Sequence, residues 1–301
     1  MPPDHELFGL DALAQYQIIQ KLTETWKIEG HVHGQGKGQV NTPPSLELER
    51  QIQRLRRSGE LPLKSLGDVT ARDLIQTLTP MAEVWQGLQA EWGPESKTRH
   101  WRFEHDGVVL EDTVTLFVRG PSYEGTLIQL DPGRLLDKAK GKLKPHKLLT
   151  TWLTLMLLAV SQDSGSEAAP AMQGLYGARL LGQDALLELP PIPPEKALQQ
   201  LPILLALWER GLHAPLPLPL KTALVSLQSK DKKSNLSDVL KSYEGGHDER
   251  SERSAEAADM AWARVYPTWD DLNETDFAAL AEHVYTPLIE WAANAKVQPL
   301  A

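Results

Sequence analysis

Apolar residues recur at helical spacing through the first ninety or so positions and then give way to alternation. Between Leu7 and Trp26, the residues Leu10, Leu13, Ile18 and Leu22 fall near one stripe, which predicts a helix. The glycine- and proline-rich stretch Gly30 to Pro44 breaks that pattern and reads as a flexible loop. Helical spacing returns from Leu46 to Ser58. There Leu48, Ile52 and Leu55 are apolar, Arg50, Arg54, Arg56 and Arg57 are polar, Gly59 is the expected C-cap, and Leu61-Pro62 begins the exit. A third helix is expected over Thr70 to Trp92, kinked or broken at Pro80.

The texture then changes. Trp101 to Glu104 and Val108 to Leu110, parted by Asp106-Gly107, predict a hairpin. Thr113 to Arg119 alternates through Val114, Leu116 and Val118 as a third strand turned by Gly120-Pro121, and Thr126 to Leu130 is a fourth, giving an antiparallel meander of four short strands. A basic segment, Arg134 to Lys147, leads into the apolar run Leu148 to Val160. That run holds three threonines and falls short of the roughly 20 apolar residues a bilayer requires, so it reads as a buried core helix.

Two more short strands are expected at Gly177 to Leu181 and Leu186 to Leu189. Pro193-Pro194-Glu195 opens a helix that runs to Trp208 and stops at Gly211. His213 to Leu220 alternates leucine with proline and reads as an extended connector before a helix at Thr222 to Leu227. The polar run Ser229 to Arg253 is expected to be a mobile or surface loop, and Phe277 to Ala295 a closing helix. The fold class is α/β: a mixed sheet with an antiparallel meander, flanked by helices. At 301 residues one large or two small units are possible, with a helical part over about 1–98 and sheet and helices over about 99–301.

Composition narrows the function classes. With 41% apolar and 24% charged residues the chain is an ordinary globular one. It has no cysteine, which excludes disulfides, zinc ribbons, iron–sulfur clusters and thiol catalysis, and fits a reducing, cytoplasmic setting. Met1-Pro2-Pro3-Asp4-His5-Glu6 lacks the basic start of a secretory signal, so neither export nor a membrane is expected. The net charge of −9 argues against a generic nucleic-acid coat protein but leaves room for a local basic surface. Of nine tryptophans, Trp152 and Trp208 lie in apolar helices and are assigned to the core; Trp92 and Trp269, in polar contexts, are assigned to an interface.

Candidate chemistry centres on the meander. Two-metal nucleases of the restriction type need an acid on one strand, then an acid and a lysine two residues apart on the next, with a helix behind; the acids hold magnesium and the lysine polarises water. Glu111 and Asp112 open one strand, Asp131 ends the next, and the Leu148 helix follows. After Asp131 comes Pro132-Gly133, so the lysine is missing and Asp131 reads as a turn acid. Gly34-Gln35-Gly36-Lys37-Gly38 lacks the spacing of a phosphate loop and reads as a linker. His31 and His33 have no third ligand nearby, and Glu104-His105-Asp106 is better explained by an Asp-Gly turn than by an acid–base dyad. Two basic clusters remain: Arg54, Arg56 and Arg57 at a helix end, and Lys138, Lys140, Lys142, Lys144 and Lys147. A solvated face is the default for both, and contact with a nucleic-acid backbone is the functional alternative. The alternating lysines share one side only in an extended segment.

Several stretches, taken in order, resemble the C-terminal region of RecC, the gamma subunit of bacterial exodeoxyribonuclease V. They are Gly9-Leu10-Asp11 with Tyr16-Gln17-Ile18, Leu55-Arg56-Arg57-Ser58-Gly59-Glu60-Leu61-Pro62, Trp152-Leu153, Ala214-Pro215-Leu216-Pro217-Leu218-Pro219, Tyr243-Glu244-Gly245 and Thr286-Pro287-Leu288. The resemblance implies a single domain over 1–301 with a restriction-endonuclease-like core that has lost its metal-binding and catalytic residues. It implies RecB-like and RecD-like subunits and the rest of RecC as partners, with DNA reached through the complex, and it implies no cofactor. The family's larger helicase-like part is absent, so Chi scanning and strand splitting are not assigned to this chain, which is expected to be a fragment of a longer subunit. The leading expectation is a non-catalytic domain that docks subunits and helps shape a DNA path. The alternatives are an active nuclease using Asp112, Asp131 and a displaced Lys138, and a single-strand-binding module using Lys140, Lys142 and Lys144.

Overall fold

Three helices form the first layer. In this computed structural model the described residues are 9–32, 44–92, 96–119, 124–137, 141–161, 177–228, 232–246 and 255–300. The carboxylate of Asp11 accepts the Ala14 N–H at 2.7 Å and caps α1, Ala12–Val32, which outlasts its expected end at Trp26. Helix α2, Pro44–Arg57, ends as expected at Gly59: the Glu60 N–H donates to the Leu55 carbonyl at 3.0 Å, and the Gly59 N–H to that of Arg56 at 3.2 Å. The Trp26 indole N–H donates to Gln51 Oε1 at 2.9 Å and joins α1 to α2. Helix α3, Lys64–Trp92, runs unbroken through Pro80. Leu78, Met81 and Trp85 are all buried around the proline, and that burial outweighs a local cost of about 3 kcal/mol.

The sheet begins with a long hairpin. Strands β1, Ser96–His105, and β2, Val108–Arg119, pair antiparallel from Ser96↔Phe117 to His105↔Val108. Asp106 and Gly107 both have positive φ, 47° and 80°, as a two-residue hairpin turn of the right twist requires. The strands expected separately at Val108 to Leu110 and Thr113 to Arg119 are one strand, so the meander has three strands rather than four. Glu111 and Asp112 mark an exposed stretch of β2 whose ladder continues through Arg102↔Glu111 and Trp101↔Asp112.

Strand β3, Glu124–Leu130, pairs antiparallel with β2 from Phe117↔Thr126 to Arg119↔Glu124. The chain crosses through the buried helix α4, Leu149–Val160, to β4, Gly177–Leu181, which lies parallel to β3. Strands β5, Ala185–Leu189, and β6, Lys296–Pro299, complete a six-stranded mixed sheet in sequence order.

Both faces of the central part of the sheet are covered, and alternation along the strands assigns each buried residue to a face. Phe117, Ile128, Leu130, Leu181 and Leu186 pack with α1, α2 and α3; Trp85 meets Phe117 edge-on at 6.0 Å. Leu116, Leu127, Leu180, Leu187 and Leu189 face the opposite core, filled by Trp152 and Leu155 of α4 and by later helices. These are α5, Pro194–His213, α6, Leu220–Gln228, α7, Lys232–Tyr243, α8, Met260–Val265, α9, Trp269–Asn273, and α10, Phe277–Ala292. Helix α5 continues past Gly211, and α7 stands where a loop was expected, anchored by buried Val239 and Tyr243. Among the described residues no helix is long and apolar enough to cross a membrane.

The tryptophan assignments divide. Trp152 is core, as expected, but Trp208 is 55% exposed because the second half of α5 outruns the elements that bury its first half. Trp92 and Trp269 are only 6% and 9% exposed, so neither is a surface anchor. Trp269 lies edge-on to Phe277 at 5.5 Å. Its acidic neighbour Asp271 closes a capping box with Thr268 instead of marking a wet surface.

Candidate functional site

The loop that follows β3 is heavily pinned. The Asp131 N–H extends the sheet by donating to the Leu181 carbonyl at 2.9 Å. Asp131 Oδ1 accepts the Gly133 N–H at 2.7 Å, which makes the Asp-Pro-Gly turn the sequence predicts. The turn between β4 and β5 holds the other side. The Gln183 N–H donates to the Gly133 carbonyl at 3.0 Å, and its side-chain amide donates to the Pro132 carbonyl. Asp184 accepts the N–H groups of Leu135 and Leu136 at 2.7 and 3.2 Å and pairs with Arg134 Nε at 3.2 Å.

Beyond Leu136 the chain folds back on itself. A bridge joins Leu136 to Leu143, and the Lys144 N–H returns to the Leu135 carbonyl at 2.9 Å. The basic run is therefore a pinned hairpin and not one extended strand, so alternation does not set which side its lysines take. Lys138 and Lys140 lie outside the described residues. Lys142 is exposed, and Lys144 donates to the Arg134 carbonyl at 3.3 Å. Lys147, in the short 3-10 turn Pro145–Leu148 ahead of α4, points inward and bonds both oxygens of Asp131, at 3.0 and 3.1 Å.

Two further groups meet here that sequence reasoning did not single out. The ring of Tyr16, from α1, has its centroid 6.0 Å from Lys147 Nζ. His146 is pushed down to about 4, first by burial and then by the positive fields of Lys147, Lys144 and Lys221, with Asp131 opposing. The imidazole is therefore neutral at pH 7. Tyr16 and Lys221 are remote in sequence from the loop, and only the Asp-Pro-Gly turn itself gave a local signal.

The remaining candidates are not drawn to this loop. Asp112 pairs across to Trp101 on β1, lies outside the paired stretch of β2 and β3, and accepts the Thr113 N–H at 2.7 Å. Glu111 bonds Arg102 at 3.3 Å on the surface. His105 and Asp106 touch at 3.3 Å on the exposed hairpin turn. Gly34 to Gly38 and His33 lie outside the described residues, as does the side chain of His31. Among the described residues no group of three or more His, Asp or Glu could hold a metal. Arg54, Arg56 and Arg57 sit at the end of α2, as expected. Arg56 is paired to Asp68 at 2.6 Å, while Arg54 and Arg57 line a shallow depression with Leu46, Glu49, Arg50 and Gln53.

A family profile described as the RecC C-terminal domain matches residues 1–231. This chain belongs to that family. The match takes in the helical layer, strands β1 to β5 and the whole Asp131 loop, and ends just before α7 of the RecC domain. Membership implies a role in the RecBCD complex. No curated protein matches the chain.

Proposed function

We propose that this RecC domain is a non-catalytic unit of the RecBCD helicase–nuclease, acting in the cytoplasm in double-strand break repair and homologous recombination. It docks the RecB-like and RecD-like subunits and the rest of RecC, and its basic side helps shape a DNA path. The helical layer and the sheet share one core, which supports their working as a single unit over 1–301.

The observation that carries the reading is the state of Asp131. In a restriction-type nuclease, the acid at the end of this strand offers its oxygens to a metal. Here both oxygens are on the Lys147 ammonium, and one also holds the Gly133 amide. Oxygens bonded to a cation supplied by the chain are not on offer to a metal, which supports a non-catalytic Asp131. The order α3, β1, β2, β3, α4, β4, with β3 and β4 parallel, supports descent from a restriction-endonuclease-like core.

One observation favours the active-nuclease alternative: a lysine, Lys147, does stand beside Asp131, arriving from the helical side, while the expected Lys138 lies outside the described residues. Both readings meet the same test. The chain is used to capture separately expressed RecB-like and RecD-like subunits of the same source, and the same preparation is assayed for magnesium-dependent cleavage. Capture without cleavage supports the docking unit. Cleavage that disappears in Asp131→Ala would replace it with the nuclease.

A further inference from the structure

We infer that α5 carries a coiled-coil seam, Leu198, Leu201, Leu205, Trp208 and Leu212, which takes a basic amphipathic helix of the RecB-like or RecD-like subunit. The inference gives a location and a partner chemistry to the docking proposed above, and it rests on that part of the reading.

The apolar positions of α5 are too many for one face. Ala197 and Leu201 are buried, and Leu204 and Leu207 pack against the same core, so the inward side is already supplied. The outward side of a surface helix is ordinarily polar. Here Leu198, Leu205 and Leu212 follow one another at intervals of seven, and Leu201 and Trp208 each stand three residues after one of them. These are the a and d positions of a heptad repeat. Leu201 roots the row in the core and Leu205 is half-buried, while Leu198, Trp208 and Leu212 are each more than half exposed. Single surface leucines need no explanation, but a row in heptad register over about 21 Å of helix makes a continuous strip.

The flanks of the strip say what kind of helix fits it. The e positions are Glu195, Pro202 and Glu209, and both acids are exposed; the g positions are Ala197, Leu204 and Gly211, which carry no charge. The cations of α5, Lys196 and Arg210, sit at f positions on the far side of the helix, and Arg210 is already bonded to Asp276 at 2.6 Å. In a coiled coil the e and g charges choose the partner and its orientation. A second copy packed on the strip about a two-fold axis would set glutamates against glutamates, which disfavours it. A helix with apolar a and d positions and lysine or arginine beside them meets both the strip and the acids.

The test uses the full chain and a labelled synthetic peptide of about 21 residues, three heptads with leucine at a and d and lysine at e and g. A twin peptide carries glutamate in place of each lysine. Fluorescence anisotropy should show the lysine peptide binding and the glutamate twin failing. Trp208→Glu/Leu212→Glu should weaken the complex roughly ten-fold or more. Glu195→Lys/Glu209→Lys should exchange the preference between the two peptides. All four side chains are exposed, so the helical circular dichroism of both variants should match that of the unmodified chain. No binding of the lysine peptide, equal binding of the twins, or binding that ignores Trp208→Glu/Leu212→Glu would each overturn the inference. So would a dimer of the chain that the same variant dissolves. That variant is also carried through subunit capture, where it should lose the RecB-like or the RecD-like subunit. Capture of both by the variant removes this strip alone, whereas failed capture by the unmodified chain removes the docking reading.

Discussion

Residue 182 has no side chain because Leu135 occupies the space where one would begin. A Cβ built on Gly182 would lie 2.6 Å from Leu135 Cγ and 3.0 Å from the Gly133 carbonyl oxygen. Leu135 is completely buried, and Asp184 holds its amide at 2.7 Å, so the leucine has nowhere to move. Gly182→Ala should cost about 1–3 kcal/mol through overpacking. Thermal unfolding checks this, and trimming the obstacle in Gly182→Ala/Leu135→Ala should give less than the sum of the two single losses.

The Asp131–Lys147 pair is only about a fifth exposed, unlike the surface pairs of Arg102. Lys147→Met leaves a partly buried carboxylate with the Gly133 amide alone and should cost about 1–3 kcal/mol. Lys142→Met, made on the exposed arm of the same hairpin, should change stability by less than about 0.5 kcal/mol. Urea unfolding of the two variants side by side measures the difference, and equal effects would show that the pair holds nothing.

His146 gives the domain a pH dependence of known sign. Its imidazole binds a proton near pH 6.5 when unfolded but only near 4 in the fold, because burial and three lysines oppose the charge. The unfolded chain therefore takes up the extra proton, so the contribution is complete above about pH 6.5 and is lost as pH falls toward 4. Carboxylates held low by their partners, such as Glu60 and Asp276, lose their stabilisation further down. His146→Gln should flatten the stability profile between pH 6.5 and 4 while leaving the more acidic limb in place; denaturant midpoints at a series of pH values decide it.

The tryptophans should separate by substitution. Trp269→Ala removes a ring packed against Phe277 and Tyr243 and should cost about 3–5 kcal/mol. Trp208→Ala should cost under about 1 kcal/mol and should lower the iodide-quenchable share of the fluorescence, which Trp269→Ala should not. Calorimetry and quenching on the two variants suffice.

The sequence carried most of the architecture where local chemistry and burial agree. Asp106-Gly107 named its turn, Gly59 its cap, and the Leu148 run its buried helix. It misled where a segment is held by partners far away in the chain. Strand β6, Lys-Val-Gln-Pro, is exposed at all four positions and owes its form to the ladder with β5, so no alternation announces it. Among its described side chains the Lys232 helix buries Val239 and Tyr243, too few to stand out. Polarity of neighbours likewise misplaced Trp269, whose neighbour Asp271 caps a helix. At the candidate site Asp131 was legible as a turn acid, but its bond to Lys147, the approach of Tyr16 and the role of Asp184 depend on the fold bringing distant residues together.

Both cores rest on the sheet, and consecutive residues serve opposite ones: Leu180 and Leu181, Leu186 and Leu187, Leu116 and Phe117. A strand that slips by a single residue would therefore exchange its contributions to both cores at once. Partial errors are not cheap in such an arrangement, and neither helical layer can loosen while the other keeps its template. The domain should thus lose its structure in one cooperative step, and any assembly that holds one face of it will rigidify the other.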